Sequence, residues 1–163
     1  MADYKREYVK AADVHMTANT FFFPETIEVL EALKSEGAVL GIVSTKFRYR
    51  ILDLFEKTGH DGLVDFIVGG EDVKAAKPDP EGLLLAIGRA SGGGKSEVLY
   101  VGDSVVDAAT AQAAGTDFSG VLHGMTTREE LEAYPHVAIV DDLPGYPAHP
   151  GLMFFAQYKV PSP

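Results

Sequence analysis

The sequence of 163 residues contains no cysteine. This absence excludes disulfide bonds, thiolate metal sites and cysteine nucleophiles together. Basic residues are also few: 14 lysines and arginines against 24 aspartates and glutamates give a formal charge of −10. Because binding to a nucleic-acid backbone needs a basic face, this balance argues against a nucleic-acid partner. It does not exclude a small phosphorylated substrate, since a bound cation and one or two lysines can reverse the local field.

Long apolar segments are missing as well. No run approaches the roughly 20 apolar residues that a membrane-spanning helix needs. The charged N-terminal stretch MADYKREYVKAAD has no apolar centre of the signal-peptide type. We therefore expect a cytoplasmic protein with no membrane partner. Hydrophobic residues make up 46% of the chain and charged residues 23%, which is typical of a single globular domain.

Strand-like and helix-like segments alternate along the chain. The strand candidates are short, mostly apolar segments at 38–43, 63–70, 97–102, 119–124 and 137–143. The first is an unbroken apolar run, a pattern typical of a strand covered on both faces. Segments with helical periodicity or helix-start signals precede and separate them, at 3–16, 24–36, 46–59, 79–92, 104–115 and 126–135. Thr126 or Thr127 is the expected cap of the last helix. The alternation predicts an α/β fold with an open, doubly wound, mostly parallel sheet.

Three of the predicted strands end in polar residues. Ligands of a doubly wound sheet bind at the carboxyl ends of its strands, so these residues are candidates for a site. They are Ser44, Thr45 and Lys46 after the first strand, Lys77 after the second, and Asp103, Ser104 and Asp107 after the third. The hydroxyls and lysines suit a phosphate group, and hard carboxylates suit a hard cation such as Mg²⁺.

Each of these residues also has an ordinary structural explanation. Ser44 could cap a helix, and Lys77 could be a solvated loop lysine. Asp103 could cap the following helix, and Asp107 could lie on the surface. Their order along the chain and their shared context are more specific than any one of them.

Other motifs are weaker. The segment SGGGKS looks like a phosphate loop, but the position of the required first glycine holds Arg89, and the segment leads into a strand. The five histidines are scattered without zinc-ligand spacing.

Three segments resemble motifs of the haloacid dehalogenase-like phosphatases. VLGIVSTKFRYRILDLFEKTG, FIVGGEDVKAAKPDPEGLLLAI and VLYVGDSVVDAATAQAAG look like the second, third and fourth motifs of that family. The nearest branch is the phosphoglycolate phosphatase and pyrophosphatase group, and the resemblance runs from about Tyr4 to Leu143. It implies a Mg²⁺-dependent phosphatase acting on a small phosphorylated metabolite.

The resemblance also implies a role for individual residues. Ser44 is expected to bind phosphate, and Lys77 to steady the nucleophile and the phosphate. Asp103 is expected to ligate Mg²⁺. Asp107 is expected to support the metal site by bonding to a metal ligand, or through water. Further candidates for phosphate binding are Thr45, Lys46 and Ser104.

The sequence differs from the family's pattern at the nucleophile. In the family, this aspartate lies in a strand ending Asp-x-Asp, and the chain contains no pair of aspartates two residues apart. Asp141 and Asp142 are adjacent and belong to the last predicted strand, and the segment LMFFAQYKV holds no acidic residue. The resemblance therefore implies that the aspartate which forms the phospho-enzyme is absent. We expect little or no turnover by that route.

The central strand of the family's sheet is expected to be missing with the nucleophile. Residues 1–20 are similar to the end of a helical cap and its linker, 21–145 are the expected core domain, and 146–163 form a tail that could pack as an extra strand. An unfilled gap would leave backbone groups of both neighbouring strands unpaired. We therefore expect a homodimer or a rearranged sheet edge, unless the tail closes the gap.

Three explanations of the missing segment compete. The chain could be the later portion of a longer phosphatase, or a noncatalytic relative that binds a ligand or partner. It could also be a protein in which another segment, such as 152–160, fills the central strand position and the site does something else. We favour the first, because the later motifs are intact.

Overall fold

The computed structural model describes residues 20–23, 25–90, 97–145 and 152–155. Five α-helices lie within these residues: α1 (Thr26–Ser35), α2 (Arg48–Lys57), α3 (Glu81–Arg89), α4 (Val105–Ala114) and α5 (Arg128–Glu132). The strands are β1 (Val39–Val43), β2 (Phe66–Val68), β3 (Val98–Gly102), β4 (Asp117–Val121), β5 (Ala138–Val140) and β6 (Leu152–Phe155). Single turns of 3₁₀ helix lie at Gly70–Asp72 and Leu143–Gly145.

The described strands form one sheet in the order β2-β1-β6-β3-β4-β5. Every neighbouring pair is parallel. Parallel strands need crossover connections, and an α-helix lies in each connection from β1 to β5. The predicted α/β, doubly wound sheet is therefore confirmed.

The middle of the sheet is occupied by β6. Its backbone pairs with β1 over four residues, from Val39 opposite Leu152 to Ile42 opposite Phe155. On its other side it pairs with β3 over the same four residues. The strand placement in the third explanation above, with a segment near 152–160 in the central position, is thus what the structure shows for Leu152–Phe155. The gap that motivated a homodimer or a rearranged edge is closed by the chain itself.

Two apolar clusters cover the two faces of the sheet, because successive strand residues point to opposite sides. One cluster joins the sheet to α1 and α2, and Leu143 is part of it. The other joins the sheet to α3, α4 and α5, and includes Val98 and Tyr100 of β3. Leu99 and Val101, the alternate residues of β3, belong to the first cluster. Both faces of β3 are thus covered, as the unbroken apolarity of its sequence predicts.

Three predicted strands differ from the structure by more than one residue in their limits. The fifth is Ala138–Val140 rather than 137–143, so Asp141 and Asp142 follow the strand and are not part of it. The second is Phe66–Val68 rather than 63–70, because a turn with left-handed glycines at Gly59 and Gly62 delays its start. Asp65 also ends that turn, since its carboxylate accepts a hydrogen bond from the Leu40 N–H at 2.8 Å. The fourth strand is Asp117–Val121 rather than 119–124. The strand propensities of individual residues do not locate such ends.

The predicted helix at 3–16 and most of the predicted cap remnant at 1–20 lie outside the described residues. In the part of the chain that is described, no helix is both long and apolar enough to cross a membrane.

Candidate active site at the carboxyl end of the sheet

The loops after β1 and β2 meet at one side of the sheet's carboxyl edge. Ser44 follows β1 and is 9% exposed; its N–H donates to the Val68 carbonyl at 2.9 Å, which continues the pairing with β2. The Ser44 hydroxyl accepts a hydrogen bond from the Lys46 N–H at 3.1 Å. Ser44 therefore does not cap α2, whose first flanking residue is Phe47.

Close packing of these loops depends on glycine. A Cβ atom placed on Gly70 would lie 2.4 Å from the Thr45 carbonyl oxygen. Such a distance is impossible between real atoms, so only glycine lets the two loops approach in this way. The Gly70 N–H also donates to the Lys46 carbonyl at 2.9 Å.

Lys77 reaches the site from the long loop between β2 and α3. Its side chain is 12% exposed, and its ammonium lies 2.5 Å from Oδ1 of Asp107, whose side chain is 4% exposed. Lys77 is thus a buried member of an ion pair and not a solvated loop lysine. The pair joins two segments that are 30 residues apart in the sequence. The Lys77–Pro78 peptide bond that follows is cis.

Tyr100 is the third member of this cluster. Its hydroxyl accepts a hydrogen bond from the Lys77 ammonium at 3.2 Å and donates to Asp107 Oδ1 at 3.3 Å. Burial of the side chain, reinforced by the Asp107 carboxylate, raises the pKa of Tyr100 well above its ordinary value. The hydroxyl therefore keeps its proton and remains a donor toward Asp107.

The start of α4 places Asp107 in the cluster. Ser104 is the N-cap: its hydroxyl accepts a hydrogen bond from the Asp107 N–H at 3.2 Å and donates to Asp107 Oδ2 at 2.6 Å. A Cβ atom on Gly102 would lie 2.3 Å from the Asp107 Cβ. The glycine of the GDS segment thus allows α4 to fold back over the end of β3. Asp107 is buried, not a surface residue, and the cap is Ser104, not Asp103.

A cavity of about 100 Å³ lies beside this cluster. Ser44, Thr45 and Lys77 contribute to its lining, together with Gly69 and Gly70. The structure therefore brings together three of the seven predicted site residues around one cavity. Ser104 and Asp107 belong to the cluster that holds Lys77, and their roles in phosphate and metal binding remain predictions.

Lys46 is half-buried and does not line this cavity. Burial, and secondarily the nearby positive charge of Arg50, lower the pKa of Lys46 from 10.5 to about 8. Arg50 in turn lies over the rings of Phe47 and Tyr49, with its guanidinium carbon 5.6 Å from each centroid. The contribution of Lys46 to phosphate binding stays a prediction.

Asp103 stands at the end of β3, partly exposed. The turn after β4 comes close to it, since a Cβ atom on Gly124 would lie 2.8 Å from Asp103 Oδ2. Within the described ranges, no group of three or more histidine, cysteine, aspartate or glutamate side chains is placed to hold a metal ion. Asp103 fits as one carboxylate ligand of a hard cation, whereas Asp107 is already bonded to Lys77, Tyr100 and Ser104.

Comparison with known proteins shows the family of this chain. The sequence profile of the haloacid dehalogenase-like hydrolases matches residues 1–121. The chain belongs to this family.

Individual relatives of this haloacid dehalogenase-like chain include two curated enzymes. Pyrophosphatase PpaX of Bacillus velezensis is 40% identical over 111 residues, which cover 68% of this chain and 51% of the relative. Phosphoglycolate phosphatase of Escherichia coli is 34% identical over 113 residues, which cover 69% of this chain and 44% of the relative. The chain thus spans about half the length of the curated relatives it matches.

Solved structures agree on the fold. A haloacid dehalogenase-like hydrolase of Bacteroides fragilis superposes with a TM-score of 0.82 at 51% identity, covering 87% of this chain and 67% of that one. A beta-phosphoglucomutase-like structure of Thermotoga maritima gives a TM-score of 0.66 at 28% identity, covering 72% and 55%.

Sequence reasoning missed Tyr100 and two of the glycines that line the cavity, Gly69 and Gly70. Tyr100 had one signal: it is the residue with a polar end in the otherwise apolar run VLYV. A buried tyrosine hydroxyl needs a partner, and the polar residues nearest to it on the fold are those of the site. Gly69 and Gly70 gave no such signal, because their effect depends on how closely the loop after β1 approaches.

Proposed function

We propose that this chain carries the phosphate-binding core of a phosphatase that acts on a small phosphate monoester. The observation that carries the proposal is the meeting of Ser44 and Lys77, from different loops, around one cavity at the carboxyl edge of the sheet. A neutral donor and a cation beside a space of about 100 Å³ are suited to a phosphate group and not to a large apolar ligand.

The relatives support the same chemistry. The names phosphoglycolate phosphatase and pyrophosphatase describe enzymes that cleave phosphate bonds in small molecules. The chain matches those enzymes over about half their length, so both the activity and the substrate are part of the proposal.

Each residue of the site has a separate proposed role in phosphate binding. The Ser44 hydroxyl is a donor as well as an acceptor, and we assign it to a phosphate oxygen. Lys77 offsets the charge of the phosphate, and Asp107 keeps the lysine at the cavity, since a buried ammonium is stable only with a partner. Thr45, Lys46 and Ser104 are further candidates for contact with the substrate.

Mg²⁺ is the proposed cofactor, with Asp103 as one of its ligands. A Mg²⁺ ion needs about six oxygen ligands, so the substrate, water or other residues would have to supply the rest. When bound, the cation offsets the negative charge on a phosphoryl group.

Catalysis by the aspartyl-phosphate route needs an aspartate that the 163 residues do not offer in an Asp-x-Asp pair. We therefore propose that this chain binds phosphate but has little turnover of its own.

Isothermal titration with inorganic phosphate, in buffer containing MgCl₂, tests the binding site. The wild-type chain should bind phosphate saturably, and Ser44→Ala should weaken binding about tenfold, the effect of losing one hydrogen bond to a charged group. Ser119→Ala is the matched control, because Ser119 is also buried and its hydroxyl bonds the Ala138 carbonyl at 3.0 Å, away from the cavity. Absence of phosphate binding by the wild-type chain would overturn the proposal.

A phosphate-release assay on p-nitrophenyl phosphate with Mg²⁺ tests the second part. We expect no release above background. Release that Asp103→Ala abolishes would show that the chain is catalytic without an Asp-x-Asp pair, contrary to the proposal.

A further inference from the structure

Tyr100 is the polar group of the site to which the proposed function gives no role. Its side chain is completely buried, at 0% exposure, on the face of β3 that packs against α3 and α4. Phenylalanine would fill an apolar position of this shape without a hydroxyl to satisfy. A buried hydroxyl is unfavourable unless it is hydrogen-bonded, and this one bonds only to site residues among the hydrogen bonds described for it.

The partners of the Tyr100 hydroxyl are Lys77 and Asp107, which are themselves paired. The lysine ammonium has three N–H donors. One points to Asp107 Oδ1 at 2.5 Å and a second to the Tyr100 oxygen at 3.2 Å. The tetrahedral geometry of the ammonium then determines the direction of the third.

A lysine held by one acceptor can turn about that single contact, because its stem is flexible and its donors rotate. Two acceptors on different atoms remove that freedom. The Lys77 ammonium nitrogen also lies 5.9 Å from the Tyr100 ring centroid, so the ring limits the positions open to the ammonium. Lys77 lines the cavity that also contains Ser44.

We infer that the Tyr100 hydroxyl is a positioning group, which holds the Lys77 ammonium in the orientation that binds a phosphate in this cavity. The inference rests on the proposed function, because it concerns the same cavity and the same lysine. Tyr100 acts through Lys77 and has no contact with the phosphate. A purely structural tyrosine would instead join β3 to α4 through Asp107 and leave phosphate affinity unchanged.

Phosphate titration of Tyr100→Phe separates these two roles. The variant keeps the ring and removes one oxygen. We expect it to be folded, as shown by a cooperative melting transition, while its phosphate affinity falls about tenfold. Tyr134→Phe is the matched control, since Tyr134 is a partly buried tyrosine packed against the same apolar cluster. A change in affinity for Tyr100→Phe no larger than that for Tyr134→Phe would overturn the inference.

Lys77→Met distinguishes failure of the inference from failure of the proposed function. If the wild-type chain binds phosphate and Lys77→Met weakens binding, the cavity and its lysine are established, and Tyr100→Phe decides the inference alone. If the wild-type chain binds no phosphate, or Lys77→Met binds as well as wild type, both the inference and the lysine's proposed role are wrong.

Nuclear magnetic resonance on the wild-type chain gives a readout that does not depend on the variant folding. A buried, hydrogen-bonded Tyr100 hydroxyl proton should exchange slowly enough to be observed. Its resonance should shift when inorganic phosphate is added, because the acceptor shared with Lys77 is polarised by the bound anion. A hydroxyl resonance that stays unmoved while phosphate binds would contradict the inference.

Discussion

The Asp107 carboxylate is hydrogen-bonded by three neighbouring side chains. Its two oxygens receive bonds from Lys77, Tyr100 and Ser104, and its own N–H is capped by the Ser104 hydroxyl. Removing one partner of a buried ion pair typically costs about 3–5 kcal/mol, because the remaining charge stays buried. The aspartate thus fixes both the start of α4 and the position of the lysine.

Lys46 leads to a prediction about pH. Its pKa in the folded chain is about 8, against 10.5 for the exposed group. Between these values the unfolded chain binds more protons than the folded chain, so folding stability rises as the pH rises. Lys46→Met should therefore be more stable than the wild type near pH 7, and the difference should shrink toward pH 10.5, as measured by urea unfolding across that range.

Arg50→Met tests the cause of that shift. Removing the Arg50 charge should move the pKa of Lys46 back toward its ordinary value and reduce the slope of stability against pH. A slope that stays the same would show that burial alone lowers the pKa of Lys46.

At the scale of single elements, end signals decide where helices start. Helix α5 has only five residues, and its first turn is held by reciprocal bonds between Thr127 and Glu130. The Glu130 N–H donates to the Thr127 hydroxyl at 3.3 Å, and the Glu130 carboxylate accepts from the Thr127 N–H at 2.8 Å. Leu131, which is fully buried, depends on this turn for its place in the core.

Thr127→Ala should therefore destabilise the chain by about 1 kcal/mol, the usual effect of losing an N-cap. Thr126→Ala is the natural control, because the sequence makes Thr126 an equal candidate for the cap and the structure does not use it. Chemical denaturation measures both. Equal losses of stability for the two variants would contradict the assignment of the cap.

The lengths of the elements were less predictable than their types. Apolar runs correctly indicate parallel strands, and α1 and α4 end just before Gly37 and Gly115, both of which have a positive φ. The predicted start of β2 is three residues too early. The turn before β2 is stabilised by a contact with a distant segment, since the Leu40 N–H donates a hydrogen bond to the Asp65 carboxylate. Such a contact between distant segments leaves no trace in local periodicity.

For the whole molecule, the central position of β6 has the largest consequence. Its backbone pairs with β1 and β3 simultaneously, so it joins β1 and β2 on one side to β3, β4 and β5 on the other. Without it, both neighbours would present unpaired backbone groups inside the sheet, which is costly and favours aggregation.

Truncation tests this role of β6. A chain ending after Gly145 should lose its cooperative melting transition or aggregate, because two sheet edges become unpaired. A chain ending after Phe155 keeps the strand and should melt far closer to the full-length protein. Circular dichroism and light scattering on heating measure both, and similar melting of the two truncated chains would show that β6 is dispensable.

The sequence by itself determined the alternation of strands and helices, the parallel sheet, and the set of polar residues at its carboxyl edge. These follow from apolar runs, caps and glycines, which act over a few residues. Only the tertiary structure decided that β6 lies in the middle of the sheet and that Asp107 holds Lys77 with the help of Tyr100. Those outcomes depend on segments that are far apart in the chain, such as Lys77 and Asp107, which are separated by 30 residues. Over such separations topology and close packing select the partner, and local pattern does not.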